Sequence, residues 1–184
     1  MKDLSRRAAV GLGLISGPAT CAAFGERRTK PVSPIIDVAI AVPIYDGIRP
    51  ITIGPSRHYH VVISNRSDQP LRLWDDHCSE GELNLAFEVH DDKGLKLIRR
   101  RGQSRSKNFP IAIELQSGDQ FVSEVSFDPD KWELPWADSE IGTRRIRMRA
   151  IYQIESTKVA ENKGIWTGKV ASRYCDYTLR DNRR

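Results

Sequence analysis

No stretch of this 184-residue chain approaches the roughly 20 consecutive apolar residues that a membrane-spanning helix needs, so no transmembrane segment is expected. The short motifs that announce common chemistries are also missing. There is no Gly-x-Gly-x-x-Gly or Walker-type phosphate loop, no Gly-x-Ser-x-Gly nucleophile elbow, and no Cys-x-x-Cys or His-Glu-x-x-His metal spacing. Serine, histidine and aspartate occur, but nothing local brings them together as a triad, so the chain reads as non-enzymatic and implies no cofactor. Charge of one sign is scarce: 29 Lys and Arg face 24 Asp and Glu, a net of +5. Lys2, Arg6 and Arg7 against Asp3 supply two of those charges, and the modest remainder argues against nucleic acid as a partner. No segment combines a helical apolar period with caps, and there is neither an internal repeat nor a low-complexity tract.

What is present starts at the N-terminus. Ser5-Arg6-Arg7 leads into Ala8-Ala9-Val10-Gly11-Leu12-Gly13-Leu14-Ile15 and then into small residues, the layout of a cleavable export signal. The arginine pair and weakly apolar centre resemble the twin-arginine signals of bacteria, although alanines stand where a bulkier residue is usual. Cleavage after Ala23 makes residues 1–23 the leader and places the mature protein in the periplasm or outside the cell. Cys21 would be the anchor of a lipoprotein, but Pro18-Ala19-Thr20 departs from the Leu-Ala-Gly-like sequence that precedes such cysteines. Residues 24–34, charged and proline-containing, read as a flexible tether. Removal of the leader leaves Cys78 and Cys175, which in an oxidising compartment read as a disulfide tying the C-terminus to the body of the fold.

Residues 35–180 are dominated by short runs with period-two alternation, bounded by turn residues. Examples are Ile36-x-Val38-x-Ile40-x-Val42, His60 to Ser64, Leu71 to Trp74, and Leu83-x-Leu85-x-Phe87-x-Val89. Asp91-Asp92-Lys93-Gly94 then turns the chain into Leu95 to Ile98. Ile111 to Leu115, Phe121 to Phe127, Ile146 to Tyr152 and Ile165 to Val170 complete the set. Eight or nine such strands in one domain predict an all-β, antiparallel β-sandwich.

Three turn motifs carry a resemblance. Asn65-Arg66-Ser67-Asp68-Gln69-Pro70 follows an apolar strand, Phe87-Glu88-Val89 runs into the Asp91 to Gly94 hairpin, and Leu115 to Asp119 precedes another strand. This layout resembles exported immunoglobulin-like β-sandwich domains of bacteria. Over residues 58–127 it is similar to the intracellular proteinase inhibitor domain of bacilli and to accessory β-domains of metallopeptidases. The resemblance implies a fold and says little about function.

Three constellations are candidates for chemistry. Arg145, Arg147 and Arg149 share one strand face, opposite Ile146, Met148, Ala150 and Tyr152, and stacked guanidinium groups need anions between them. Those anions are either glutamates of neighbouring strands, such as Glu114 or Glu124, or the phosphates and carboxylates of a ligand. Arg99, Arg100 and Arg101, with Arg105 and Lys107, would extend such a strip. Second, His58 and His60 on one strand face and the cluster Asp75-Asp76-His77-Cys78 offer a mixed ligand set for copper or zinc. Third, Trp132 and Trp136, near Pro129 and Pro135, would edge a pocket.

The leading expectation is an extracytoplasmic, non-enzymatic module that binds a protein or an anionic envelope polymer. A peptidase inhibitor presenting loops to an active-site cleft is the alternative, and a metal-binding protein the third.

Overall fold

The computed structural model describes residues 35–54, 58–102, 109–136 and 142–181. The expected leader, cleavage site, tether and Cys21, together with Arg105 and Lys107, lie outside the described residues. The fold is all-β, as the period-two alternation requires. Its strands are β1 (Ile36–Ala41), β2 (Pro50–Ile53), β3 (Tyr59–Asn65), β4 (Leu71–Trp74), β5 (Leu85–Asp91) and β6 (Gly94–Arg100), followed by β7 (Ala112–Leu115), β8 (Gln120–Val125), β9 (Trp132–Glu133), β10 (Gly142–Ile154), β11 (Gly168–Ala171) and β12 (Cys175–Asp181).

Twelve described strands exceed the expected eight or nine. The four-residue β2 and two-residue β9 contain too few alternations to register as a period. The run beginning at Leu83 starts as a strand only at Leu85, because residues 81–84 form turns, and Leu83 itself is exposed. A short helix that the apolar pattern does not signal, α1 (Lys158–Asn162), is capped by Thr157, whose hydroxyl accepts from the Ala160 N–H at 3.1 Å.

The strands form three sheets. β1, β3 and β8 make one, β4 and β7 a small second. The largest runs β2-β12-β10-β5-β6-β9, with β11 lying beside β10 after β12 on the same flank. The pairs are antiparallel except that β12 and β2 run parallel, a departure from a purely antiparallel arrangement. Inward positions alternate as the sequence indicates: Ile36 and Val38, Tyr59, Val61 and Ile63, then Leu85, Phe87 and Val89, all buried. The three-stranded and seven-stranded sheets share one core. At its centre Tyr59 of β3 meets Phe87 of β5 edge-on at 5.9 Å, while Phe127 lies 5.4 Å from Tyr59 and 5.2 Å from Phe87. Each such edge-to-face pair contributes about 1 kcal/mol beyond area burial.

Two of the sequence's turn motifs meet at a single side chain. Asn65, fully buried, donates to the carbonyls of Gln69, Leu115 and Gln116 at 2.8, 3.0 and 3.1 Å. Its Oδ1 accepts from the Ser67 N–H and hydroxyl. The Asn65–Pro70 and Leu115–Asp119 turns are thus joined by one amide.

Candidate functional site

The arginine strand takes the orientation its alternation dictates. Along β10, Ile146, Met148, Ala150 and Tyr152 are buried, and Arg145, Arg147 and Arg149 project from the opposite, outer face of the large sheet. Strand pairing sets their neighbours. Arg147 lies opposite His90 of β5 and Asp176 of β12, and Arg149 lies opposite Glu88 of β5.

A bulge completes this surface. Met148 pairs with Cys175 and Ile151 with Ala171, so two residues of β10 face three, Ser172 to Tyr174, on the partner side. The extra residue changes the parity of the chain: Ser172 is buried before it, and Tyr177 and Leu179 after it. The freed Ala150 N–H donates to the Ser172 hydroxyl at 2.9 Å, and the Ser172 N–H donates to the Ala150 carbonyl at 2.9 Å. Tyr174 is thereby placed on the outer face, where its ring lies 4.6 Å from the Arg149 guanidinium and 5.4 Å from that of Arg147.

The three arginines are not equivalent. Arg149 is spoken for: its Nε and Nη2 both lie 2.6 Å from Glu88 Oε2, which also accepts from the Tyr174 hydroxyl at 2.7 Å. The Tyr174 hydrogen bond, with help from Arg149 and against some burial, holds the Glu88 carboxyl below its usual range. Burial, reinforced by the hydrogen bond to Glu88, pushes the Tyr174 hydroxyl up. The internal counter-ion is therefore Glu88, in place of the expected Glu114 and Glu124. Glu114 lies opposite Arg72 in the small sheet, and Glu124 sits beside His58.

Arg145 and Arg147 are exposed and form no ion pair with a carboxylate among the described residues. With Arg49 they line an open groove of about 940 Å³, bordered by His90, Tyr174 and Ile44. The two aspartates in that groove differ in availability. Asp91 is committed to Lys96 at 3.1 Å and to the Trp136 indole N–H at 2.9 Å, and Asp176 remains exposed. Burial alone would raise the Asp91 carboxyl, but the donors Trp136, Lys96 and the Lys93 N–H together keep it low. Among the described residues the groove thus holds three arginines without an ion-paired carboxylate against one uncommitted acid.

The other expected residues fall elsewhere. Arg99 reaches the outer face beside a second groove of about 750 Å³. Arg100 lies over the Trp132 ring at 5.9 Å, and Arg101 donates to the carbonyls of Pro129 and Trp132. Successive strand residues point to opposite faces, so Arg99, Arg100 and Arg101 do not line up as one strip, although Arg99 and Arg100 both border the second groove. Trp132 and Trp136 are 3% and 2% exposed. They pack in the core, Trp132 lying 5.5 Å from Phe87 and 5.7 Å from Phe127, and neither lines either of these two grooves.

The metal set is split. Asp75, Asp76 and His77 converge in one loop, His77 Nδ1 lying 2.9 and 2.8 Å from the two carboxylates. That loop depends on Gly81, where a Cβ would stand 1.9 Å from the Asp75 carbonyl oxygen. His58 and His60 lie instead around Glu124, His58 at 3.3 Å and His60 as its cross-strand partner. The disulfide expected between Cys78 and Cys175 is not formed; both are free thiols. Cys78 is buried with its Sγ donating to the Asp75 carbonyl, and Cys175 lies at the start of β12 opposite Met148.

Sequence reasoning missed Arg49, Ile44, Tyr45 and Tyr174. Asp46-Gly47, a favoured hairpin dipeptide, was the available signal for the first three. Tyr174 depends on the bulge and had none. No protein-family model and no curated protein matches the chain. Among solved structures, it is similar to an alkylpurine DNA glycosylase of Pseudomonas fluorescens bound to DNA containing an abasic-site analogue, at 11% identity and a TM-score of 0.32, the match covering 79% of this chain and 30% of that one; at that level the likeness carries over neither fold nor activity.

Proposed function

We propose that this chain is an exported, extracytoplasmic binding module with an immunoglobulin-like sandwich architecture, which recognises an anionic component of the bacterial envelope through the outer face of its large sheet. The observation that carries this reading is the contrast along one strand: Arg149 is neutralised by Glu88, whereas Arg145 and Arg147 stand beside Arg49 in an open groove without carboxylate partners among the described residues. Like charges at such spacing repel, and an arriving phosphate or carboxylate relieves that repulsion while using the fork geometry of guanidinium. In the same groove His90 packs edge-on against the Tyr174 ring, 5.3 Å away, which helps hold that ring beside the arginines.

The test is sedimentation of purified protein with envelope fractions across a salt series, with duplex DNA and an acidic protein as parallel ligands. Arg145→Gln/Arg147→Gln is expected to abolish salt-sensitive binding to the envelope while changing thermal stability by no more than about 1 kcal/mol, because both side chains are exposed and the contact of Arg147 with the Tyr174 ring is a surface cation–π contact. Binding equal to wild type would remove the groove from consideration. Preference for the DNA or the acidic protein would reassign the partner.

A further inference from the structure

We infer that the anionic partner is a lipid bilayer, into whose interface the Ile44 and Tyr45 side chains insert from the flank of the Asp46-Gly47 turn while Arg49, Arg145 and Arg147 engage lipid phosphates beside them. The inference rests on the anion-binding reading of the same groove and adds the identity of what fills it.

The hairpin is built for presentation. Asp46 and Gly47 have φ of 49° and 75°, the two left-handed central residues of a type I′ turn. Two reciprocal backbone bonds close it, Tyr45 N–H to the Ile48 carbonyl and Ile48 N–H to the Tyr45 carbonyl, each 2.9 Å. A tip already held in one shape loses little conformational freedom on docking. On the flank of this turn the chain exposes two large side chains in succession, Ile44 at 62% and Tyr45 at 59%. An isoleucine gains by leaving water, and a tyrosine suits the membrane interface, where its ring meets acyl chain and its hydroxyl meets water and headgroups.

The tip and the cations belong to one surface. Ile44, Gly47, Ile48 and Arg49 line the groove together with Arg145 and Arg147. A wholly polar polyanion would use the arginines but leave Ile44 and Tyr45 in water. An anionic lipid surface uses both, presenting phosphates to the guanidinium groups and an apolar layer just beyond them. The negative potential of such a surface strengthens binding by roughly fivefold for each arginine near it.

The experiment is flotation of the full-length protein with vesicles of phosphatidylglycerol mixed into phosphatidylcholine, against phosphatidylcholine alone, with retention on immobilised inorganic polyphosphate measured in parallel. Wild type is expected to float with the anionic vesicles and not with the neutral ones. Ile44→Ser/Tyr45→Ser should weaken vesicle binding by at least about tenfold, from the apolar area no longer buried, while polyphosphate retention is unchanged. Arg145→Gln/Arg147→Gln should weaken both, vesicle binding by about 25-fold. Polyphosphate retention without flotation would overturn the lipid inference and leave the groove reading intact. Retention and flotation both unaffected by Arg145→Gln/Arg147→Gln would overturn the groove reading itself. Vesicle binding unaffected by Ile44→Ser/Tyr45→Ser would overturn insertion of these two side chains. Circular dichroism of each variant confirms that a loss is not unfolding.

Discussion

Asn65 joins two turns with hydrogen bonds to at least four backbone groups, and no other side chain at its position could make the same set. An alanine there would leave the buried Leu115 carbonyl without its donor, at a cost of roughly 1 to 3 kcal/mol, and would also remove the partly buried bonds to Gln69, Gln116 and Ser67. Asn65→Ala is therefore expected to destabilise the fold by about 3 kcal/mol. Urea unfolding measures this, and a loss below 1 kcal/mol, on the order of a surface substitution, would show that the turns hold without the amide. Asn65→Asp should do no better, since a carboxylate would face three carbonyl oxygens where the amide now donates. At this scale the sequence was partly readable. Asn, Ser, Asp and Pro in that order specify a turn by their own chemistry, but which distant carbonyls the amide would meet depends on β3 and β7 arriving together.

Between strands, the decisive device is the bulge between β11 and β12. By giving that side three residues against two, it aims Tyr174 at Glu88 and Arg149 and turns β12 so that Tyr177 and Leu179 reach the core. Ser172 holds it by accepting from the Ala150 N–H, a ladder donor that the bulge deprives of a carbonyl. Ser172→Ala should leave that buried N–H unpaired and cost about 1 to 3 kcal/mol. Hydrogen exchange at the Ala150 amide is the specific readout, and protection equal to wild type would mean that another acceptor takes over. Period-two reasoning placed Arg145, Arg147 and Arg149 correctly because β10 runs unbroken through them. It merged Ile165 to Val170 into one strand, whereas β11 begins at Gly168, since an alternating pattern carries no mark of where pairing starts.

For the molecule as a whole, two carboxylates of β5, Glu88 on the outer face and Asp91 at the strand end beside the buried Trp136, have protonation linked to folding. Glu88 and Asp91 are both held below their unfolded values, Glu88 chiefly by the Tyr174 hydroxyl, Asp91 by donors that outweigh its burial. A depressed carboxyl contributes stability that is present above its unfolded pKa, roughly 4, and is lost as pH falls through its lower folded value. Wild-type protein should therefore lose stability steeply below about pH 4, and Glu88→Gln/Asp91→Asn should be less stable at neutral pH but flatter on acidification. Urea midpoints at neutral and acid pH decide it; parallel curves for the two proteins would show that other groups govern the acid limb. Tyr174 works in the opposite sense. Its raised hydroxyl contributes below the unfolded value and is lost as pH rises through the folded one.

By itself the sequence determined the fold class, because alternation of apolar residues in runs such as Leu85 to Val89 leaves no other way to bury one face. It likewise determined that Arg145, Arg147 and Arg149 point together, a consequence of pleat geometry alone. Tertiary structure alone decided which of those arginines is free, since that depends on Glu88 being the neighbour of Arg149 across the β5–β10 pairing. It also decided that Ile44 and Arg49, about a hundred residues upstream, border the same groove. Side-chain parity is local and legible along a strand; strand order and register are set by distant segments competing for one core, and there the groove acquires its charge and its apolar rim.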